Sequence, residues 1–263
     1  MQELAYIVAG FVVGSIVGLT GVGGGSLMTP ILIFFFQIKP YLAVGTDLLF
    51  AACTKVSGSV RMARSRQIDW SVVASLCAGS LPASMLTLYL LHSMGTTDAR
   101  VQSIITSTLG AALLLTAAAT LYKAVRGKTS PKQVVEGEEV LALKPRHWSL
   151  PLLFGALIGS LVTLTSVGAG AIGVTVLMLL YPKLPLPRII AADITYAVPL
   201  TLIAGLGHAS LGSVNWTMLG LLLCGSIPGI WVGSHMLHKV PERIIRALLS
   251  PLLAYAGIKL IAI

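Results

Sequence analysis

The chain is written twice, and any fold proposed for it must hold two copies of one design. Gly10, Gly14, Gly23 and Gly25 return as Gly155, Gly159, Gly168 and Gly170 at a shift of 145 residues. One inserted residue then makes the shift 146. At that shift Asp47 meets Asp193, Trp70 meets Trp216, Gly79-Ser80-Leu81-Pro82 meets Gly225-Ser226-Ile227-Pro228, and Arg100 meets Arg246. The register sets the expected organisation: a first repeat over residues 1–122, a linker over 123–148 and a second repeat over 149–263.

Composition identifies the solvent. A chain that is 56% hydrophobic and 10% charged cannot wrap itself into a water-soluble globule, so most of it faces lipid. Apolar runs cover about 4–38, 42–60, 70–91, 101–122, 150–181, 189–207, 216–237 and 247–263, and a span needs about 20 residues. Backbone groups in lipid must be satisfied internally, and Leu-rich, Ala-rich runs of this length do not read as barrel strands, so helices are expected. Gln2 and Glu3 stand where a cleaved signal would be basic, which predicts that the first apolar segment is retained. Cys53, Cys77 and Cys224 fall inside apolar runs with no close pair and no metal-ligand spacing. They read as small buried hydrophobes, and the sequence calls for no cofactor and no metal.

The net charge of +9 is not a nucleic-acid signal, because the Lys and Arg residues sit in short loops between apolar runs, where they report orientation. That orientation tests the two runs that are too long. Leu4 to Phe36 as one helix would measure about 50 Å at 1.5 Å per residue, against a hydrocarbon core of about 30 Å. Both long runs are interrupted by small residues, Leu19-Thr20-Gly21-Val22-Gly23-Gly24-Gly25-Ser26 and Leu164-Thr165-Ser166-Val167-Gly168-Ala169-Gly170. Glycine there disfavours continuous helix and permits a reversal, so each run can enter the membrane and return as a hairpin. Three spans then follow each hairpin, and the second half starts on the face opposite the first. This topology gathers fourteen of the 18 Lys and Arg residues on one face and leaves Lys39, Arg100 and Lys259 on the other, with Lys55 inside a span. Single crossings by the long runs would divide the charges with almost no bias. The positive-inside rule therefore predicts a cytoplasmic linker and extracytoplasmic termini. The expected fold is an all-α integral membrane protein with two inverted-topology repeats, each a Gly-rich re-entrant hairpin followed by three transmembrane helices.

Two hairpins entering from opposite faces bring their tips toward the midplane, where inverted-repeat transporters place their substrate. Irregular backbone at that depth must line a cavity or be buried in protein, and amides at a helix start attract anions. The candidate substrate-binding residues are Gly23, Gly24, Gly25 and Ser26 in the first tip and Ser166, Gly168, Ala169 and Gly170 in the second, with Thr46 and Lys55 added from the following span. The expected partner is a small anion. Close packing of helices is the competing role for the glycines.

Asp47, Lys55 and Asp193 are the charged residues inside spans, where each is costly unless paired or solvated. The two aspartates occupy equivalent repeat positions and are candidates for anchoring the neighbouring hairpin or for coupling to protons. Lys55 has Thr201 as its counterpart. It lies about 80° around a helix and about 12 Å along it from Asp47, and either draws an anion inward or snorkels to the cytoplasmic interface. Tyr196 and Thr195 add polarity to the second half, and His208, near a span end, reads as an interface residue. Trp70 and Trp216 read as interfacial anchors. Pro82 and Pro228 fall mid-span and are candidate hinges. The five histidines, His92, His147, His208, His235 and His238, are scattered near span ends, which argues against an enzyme.

The run Gly14-Ser15-Ile16-Val17-Gly18-Leu19-Thr20-Gly21-Val22-Gly23-Gly24-Gly25-Ser26-Leu27-Met28-Thr29-Pro30, followed by Ala43-Val44-Gly45-Thr46-Asp47, resembles the signature of the TauE/SafE sulfite exporter family. The resemblance extends over nearly the whole chain and implies an inner-membrane permease that exports sulfite or organosulfonates using the proton gradient. The second copy departs from the pattern, with Ser166, Ala169 and Thr175 for Gly21, Gly24 and Pro30, and Ala191-Ala192 for Gly45-Thr46. One site with unequal contributions is therefore expected. A permease for another small anion and a passive anion channel remain as alternatives.

Overall fold

Leu-rich and Ala-rich runs bounded by short polar turns form helices throughout. The structure, a computed structural model, describes residues 2–20, 25–64, 66–95, 98–126, 149–182, 184–236 and 242–262, and holds ten helices and no strand among them. In order they are α1 (Gln2–Thr20), α2 (Gly25–Phe34), α3 (Pro40–Arg64), α4 (Trp70–Met94), α5 (Ala99–Arg126), α6 (Ser149–Thr165), α7 (Ala171–Leu180), α8 (Leu186–Ser210), α9 (Trp216–Met236) and α10 (Glu242–Ile261). Each long apolar run is thus split at its small residues into a longer helix and a short one. At ten residues, α2 and α7 are each about 15 Å long, half of what a crossing requires. Residues 127–148, most of the expected linker, lie outside the described residues, and α5 runs to Arg126, past the expected end of the first repeat.

Among the described residues, four helices are long and apolar enough to cross a membrane: α4, α5, α8 and α9. Three were expected in each half. The 25 residues of α3 equal α8 in length, but Asp47, Lys55, Arg61 and Arg64 lower its apolar content. In α10 the described apolar stretch is Leu249–Ile261. Even so, α3 packs along α8 as α10 packs along α5.

Glycine dictates which helices touch. On α1, Gly10 and Gly14 lie against the backbone of Leu222 and Ser226, and from α9 Gly225, Gly229 and Gly233 lie against Ile7, Phe11 and Ser15. The numbers rise together, so α1 and α9 run parallel with their backbones in contact. The pair α4 and α6 repeats the arrangement: Gly155 on Leu76, Gly159 on Ser80 and Gly79 on Leu152. Under the two shifts these are the first three contacts again, so the helix that opens each half packs on the third long helix of the other. The seams differ in length, because Gly229 and Gly233 of α9 correspond to Ala83 and Thr87 of α4. Elsewhere the sense is antiparallel. Gly45 meets Ser213, Gly58 meets Ile194 and Gly205 meets Leu49 between α3 and the α8 region, while Gly110 meets Gly257 between α5 and α10.

The apolar interior divides in two. One cluster surrounds α2 and includes Met28, Leu32, Phe50, Leu113 and Leu222; the other surrounds α7 and includes Leu48, Leu76, Ile105, Leu177 and Leu200. Outward-facing positions are apolar too: Leu4, Leu86, Tyr89, Leu157, Trp231 and Tyr255 are all more than half exposed, the pattern of a chain solvated by lipid. Trp70 and Trp216 are exposed at the first positions of α4 and α9. Both helices are capped in the same way, Asp69 Oδ1 accepting from the Ser71 and Val72 amides and Asn215 Oδ1 from the Met218 amide. The cysteines depart from expectation: Cys53 and Cys224 are exposed and Cys77 half-buried, because lipid accepts a thiol as readily as the core does.

Candidate functional site

The antiparallel pair α3 and α8 sets the site. Contact of Gly58 with Ile194, together with a 3.3 Å hydrogen bond from Ser59 Oγ to Thr195 Oγ1, brings the Lys55 turn of α3 level with Asp193 of α8. Both residues are buried, as are Asp47, Thr29 and Tyr196, so three ionisable groups and several hydroxyls meet inside a protein that is apolar elsewhere.

Asp47 is completely buried two turns before Lys55 on α3. The Thr29 hydroxyl, on α2, donates to its Oδ2 and ties the short helix to the spanning one. The Ser166 hydroxyl faces the same carboxylate from the break between α6 and α7, although neither Ser166 Oγ nor Asp47 Oδ1 completes a hydrogen bond of good geometry. Lys55 is 6% exposed and its Nζ donates to the Ala169 carbonyl at 3.3 Å. It does not snorkel. A carbonyl freed by the break supplies the hydrogen bond that lipid cannot.

The break owes its shape to backbone that only small residues tolerate. Ser166 has φ 58°, Gly168 φ 127° and Gly170 φ 133°, and these reversals end α6 and start α7 within five residues. The Gly173 amide bonds the Gly168 carbonyl at 2.9 Å, and no side chain caps α7. Gly173 itself lies directly against Asp193 Oδ1, with the Tyr196 hydroxyl beside it. Ser166, Ala169, Asp47, Lys55 and Asp193 are therefore gathered by the fold, with Gly168 and Gly170 shaping the turn that presents them.

Other expected site residues stand elsewhere. Gly23 and Gly24 lie outside the described residues, and Gly25 and Ser26 open α2. Thr46 is buried but its hydroxyl accepts from the Asn215 amide at 3.1 Å, holding the turn between α8 and α9 to α3. Pro82 and Pro228 face outward from helices that continue through them. His208 is fully buried instead of interfacial. Its Nε2 sits 2.9 Å from the Thr163 carbonyl, and Thr163 Oγ1 in turn pairs with Ser84 Oγ at 2.8 Å. The position near a helix end misleads because the antiparallel crossing of α3 covers it: Gly45 packs against the His208 Cβ.

Thr29 and Gly173 carry no charge, and only the repeat points to Thr29. A Thr stands 18 residues before the buried Asp in both halves, Thr29 before Asp47 and Thr175 before Asp193. Among the described residues no three His, Cys, Asp or Glu side chains converge as a metal centre would require.

The family profile described as "Sulfite exporter TauE/SafE" matches residues 6–260. A probable membrane transporter protein of Bacillus subtilis, YjnA, is 32% identical over 99% of this chain and 100% of its own length. A second from that organism, YunE, is 26% identical over 90% of this chain and 87% of its own. A probable membrane transporter protein of Methanocaldococcus jannaschii is 25% identical over 96% and 92%. No solved structure matches the chain.

Proposed function

The chain belongs to the TauE/SafE sulfite exporter family, and from that premise we propose that it is an inner-membrane permease exporting sulfite or organosulfonates, coupled to the proton gradient. The observation that carries the proposal is the buried cluster of Asp47, Lys55 and Asp193 at the irregular break that contains Ser166 and Ala169. Buried charge among apolar helices is expensive and is kept where ions or protons pass. Lys55 and the hydroxyls of the break offer an anion its contacts. Two carboxylates and one ammonium leave a net negative charge when all are ionised, so an anion enters the cluster more easily once a carboxylate has taken up a proton. That requirement links anion and proton movement.

Inverted repeats and re-entrant hairpins belong to the same proposal. They are supported by the length of α2 and α7, and by the sense of the contacts. Since α4 and α9 are repeat equivalents, the parallel packing of α1 on α9 and of α6 on α4 relates α1 to α6 as it relates α9 to α4. The antiparallel packing of α3 on α8, with a short turn on each side, makes α4 and α9 run oppositely.

The test is counterflow of radiolabelled sulfite in proteoliposomes, with sulfoacetate, thiosulfate, sulfate and chloride as competitors. Saturable exchange blocked by sulfite or sulfoacetate is expected, and no exchange by inserted protein removes the substrate reading. Collapse of the pH gradient should abolish accumulation; unchanged flux would make the chain a passive channel. Gly24→Leu should abolish exchange while the protein stays in the membrane, and full retained flux removes the first tip from the site.

A further inference from the structure

His208 stands where the three helices that carry the site meet. Its carbonyl accepts from the Ser213 amide at 2.9 Å, Gly45 of α3 packs against its Cβ, and its Nε2 lies 2.9 Å from the Thr163 carbonyl of α6. Asp47 follows Gly45 by two residues, the break at Ser166 follows Thr163 by three, and Asp193 shares α8 with His208 itself. The Thr163 carbonyl is available because α6 ends there: the Val167 amide, which would bond it in a continued helix, donates to the Thr165 hydroxyl at 3.1 Å instead. A carbonyl only accepts, so Nε2 is the ring nitrogen that carries the proton. Nδ1, buried and without a partner among the described residues, is a cost that an apolar residue at this position would not incur. The first half is built with such a residue. There the positions equivalent to His208 and Thr163, at shifts of 146 and 145, are Met62 and Gly18, and a methionine side chain has no hydrogen to donate.

We propose that His208 is a positioning residue for the substrate tip of the second half: its Nε2–H clamps the end of α6 to α8 and so fixes where Ser166 and Ala169 stand against α3. The proposal rests on the transporter reading above and deepens it, adding to the site a residue that never touches the anion. The imidazole acts as a hydrogen-bond donor of set length, not as a proton carrier. With its backbone held by Ser213 and its Cβ by Gly45, the ring is directed at α6. Lys55 fastens the other side of the same turn at Ala169, so the tip is tied at both ends, to α8 through Thr163 and to α3 through Ala169.

The experiment compares His208→Gln, whose side-chain amide can donate near the reach of Nε2, with His208→Met, the residue of the first half. Each is placed in a background without native cysteines that carries Ala169→Cys, and a small thiol reagent reports the state of the tip. His208→Met is expected to label at least about threefold faster than the parent, as a turn released from one tie opens more often, and His208→Gln at the parental rate. Arg64→Cys, exposed at the far end of α3, is expected to label equally in all three. In sulfite counterflow His208→Met should raise KM about fivefold, the size of one neutral hydrogen bond, with Vmax per folded protein little changed, and His208→Gln should bring KM back. An unchanged tip in His208→Met overturns the proposal, and so does a change that Arg64→Cys shares, which would be a general loosening. His208→Gln as impaired as His208→Met overturns it as well, by showing that the imidazole itself is needed. Should His208→Met fail to fold, His208→Asn, whose amide stops short of the carbonyl, takes its place; failure of both beside a folded His208→Gln would make the bond a requirement of folding instead of the tip, and overturns the proposal. Labelling does not depend on which anion is carried, so a failed counterflow assay and a failed clamp are read separately.

Discussion

At the scale of single residues, the site is held by groups with little room to change. Gly173 presses on Asp193 Oδ1, so Gly173→Ala must displace either the carboxylate or the start of α7. Forced overpacking of a buried position costs about 1–3 kcal/mol. The expected outcome is a folded but less stable protein with transport reduced by at least about tenfold, checked by melting and counterflow together; unchanged flux would separate Asp193 from transport. Thr29→Val keeps the shape of the side chain and removes the hydroxyl given to Asp47. Leaving a buried acceptor short of a donor costs about 1–3 kcal/mol, and Thr29→Ser, which restores the donor, should recover most of the lost stability. Asp47, Asp193 and Lys55 were legible in the sequence because charge within an apolar run is conspicuous. Which way Lys55 points was not, since its partner is a main-chain carbonyl 114 residues away. His208 misread for the same reason: distance from a helix end says nothing about what crosses over it.

At the scale of elements, backbone contact replaces the hydrophobic effect, because lipid is as apolar as leucine and helices in it gain by fitting closely. The α1–α9 seam depends on five glycines and the α4–α6 seam on three. Gly225→Val should therefore destabilise the protein by several degrees of melting temperature, whereas Gly220→Val, at a position of the same helix with nothing within 4 Å, should change it little. Equal effects would mean that the seams do not hold the bundle. The glycines and their repeat were visible in the sequence, as were the breaks that divide each long run. The pairing of each opening helix with the other half was not, since one register of small residues fits several partners equally well. The burial of Lys55 in α3 was hidden in the same way: its ammonium is bonded to the Ala169 carbonyl of the other half, which a run-by-run reading does not see.

At the scale of the whole molecule, the repeat makes a prediction about faces. Arg64 and Ser210 are equivalent at a shift of 146, both exposed, at the ends of α3 and α8. In a background without the three native cysteines, Arg64→Cys should react with an impermeant thiol reagent only from the cytoplasmic side and Ser210→Cys only from the outside. Labelling of both from one side would overturn the inverted arrangement.

The interlocking of the halves also has a consequence in time. Gly10 meets its partner Leu222 only after most of the chain has been made, roughly 10–40 s after α1 itself at ordinary rates of synthesis. Throughout that interval the glycine face of α1 is a groove with nothing in it. The newborn helix must wait in the membrane with lipid or the insertion machinery as its temporary neighbour, and a ribosome that stalls before α9 leaves behind a fragment with an unfilled groove, open to the cell's membrane proteases.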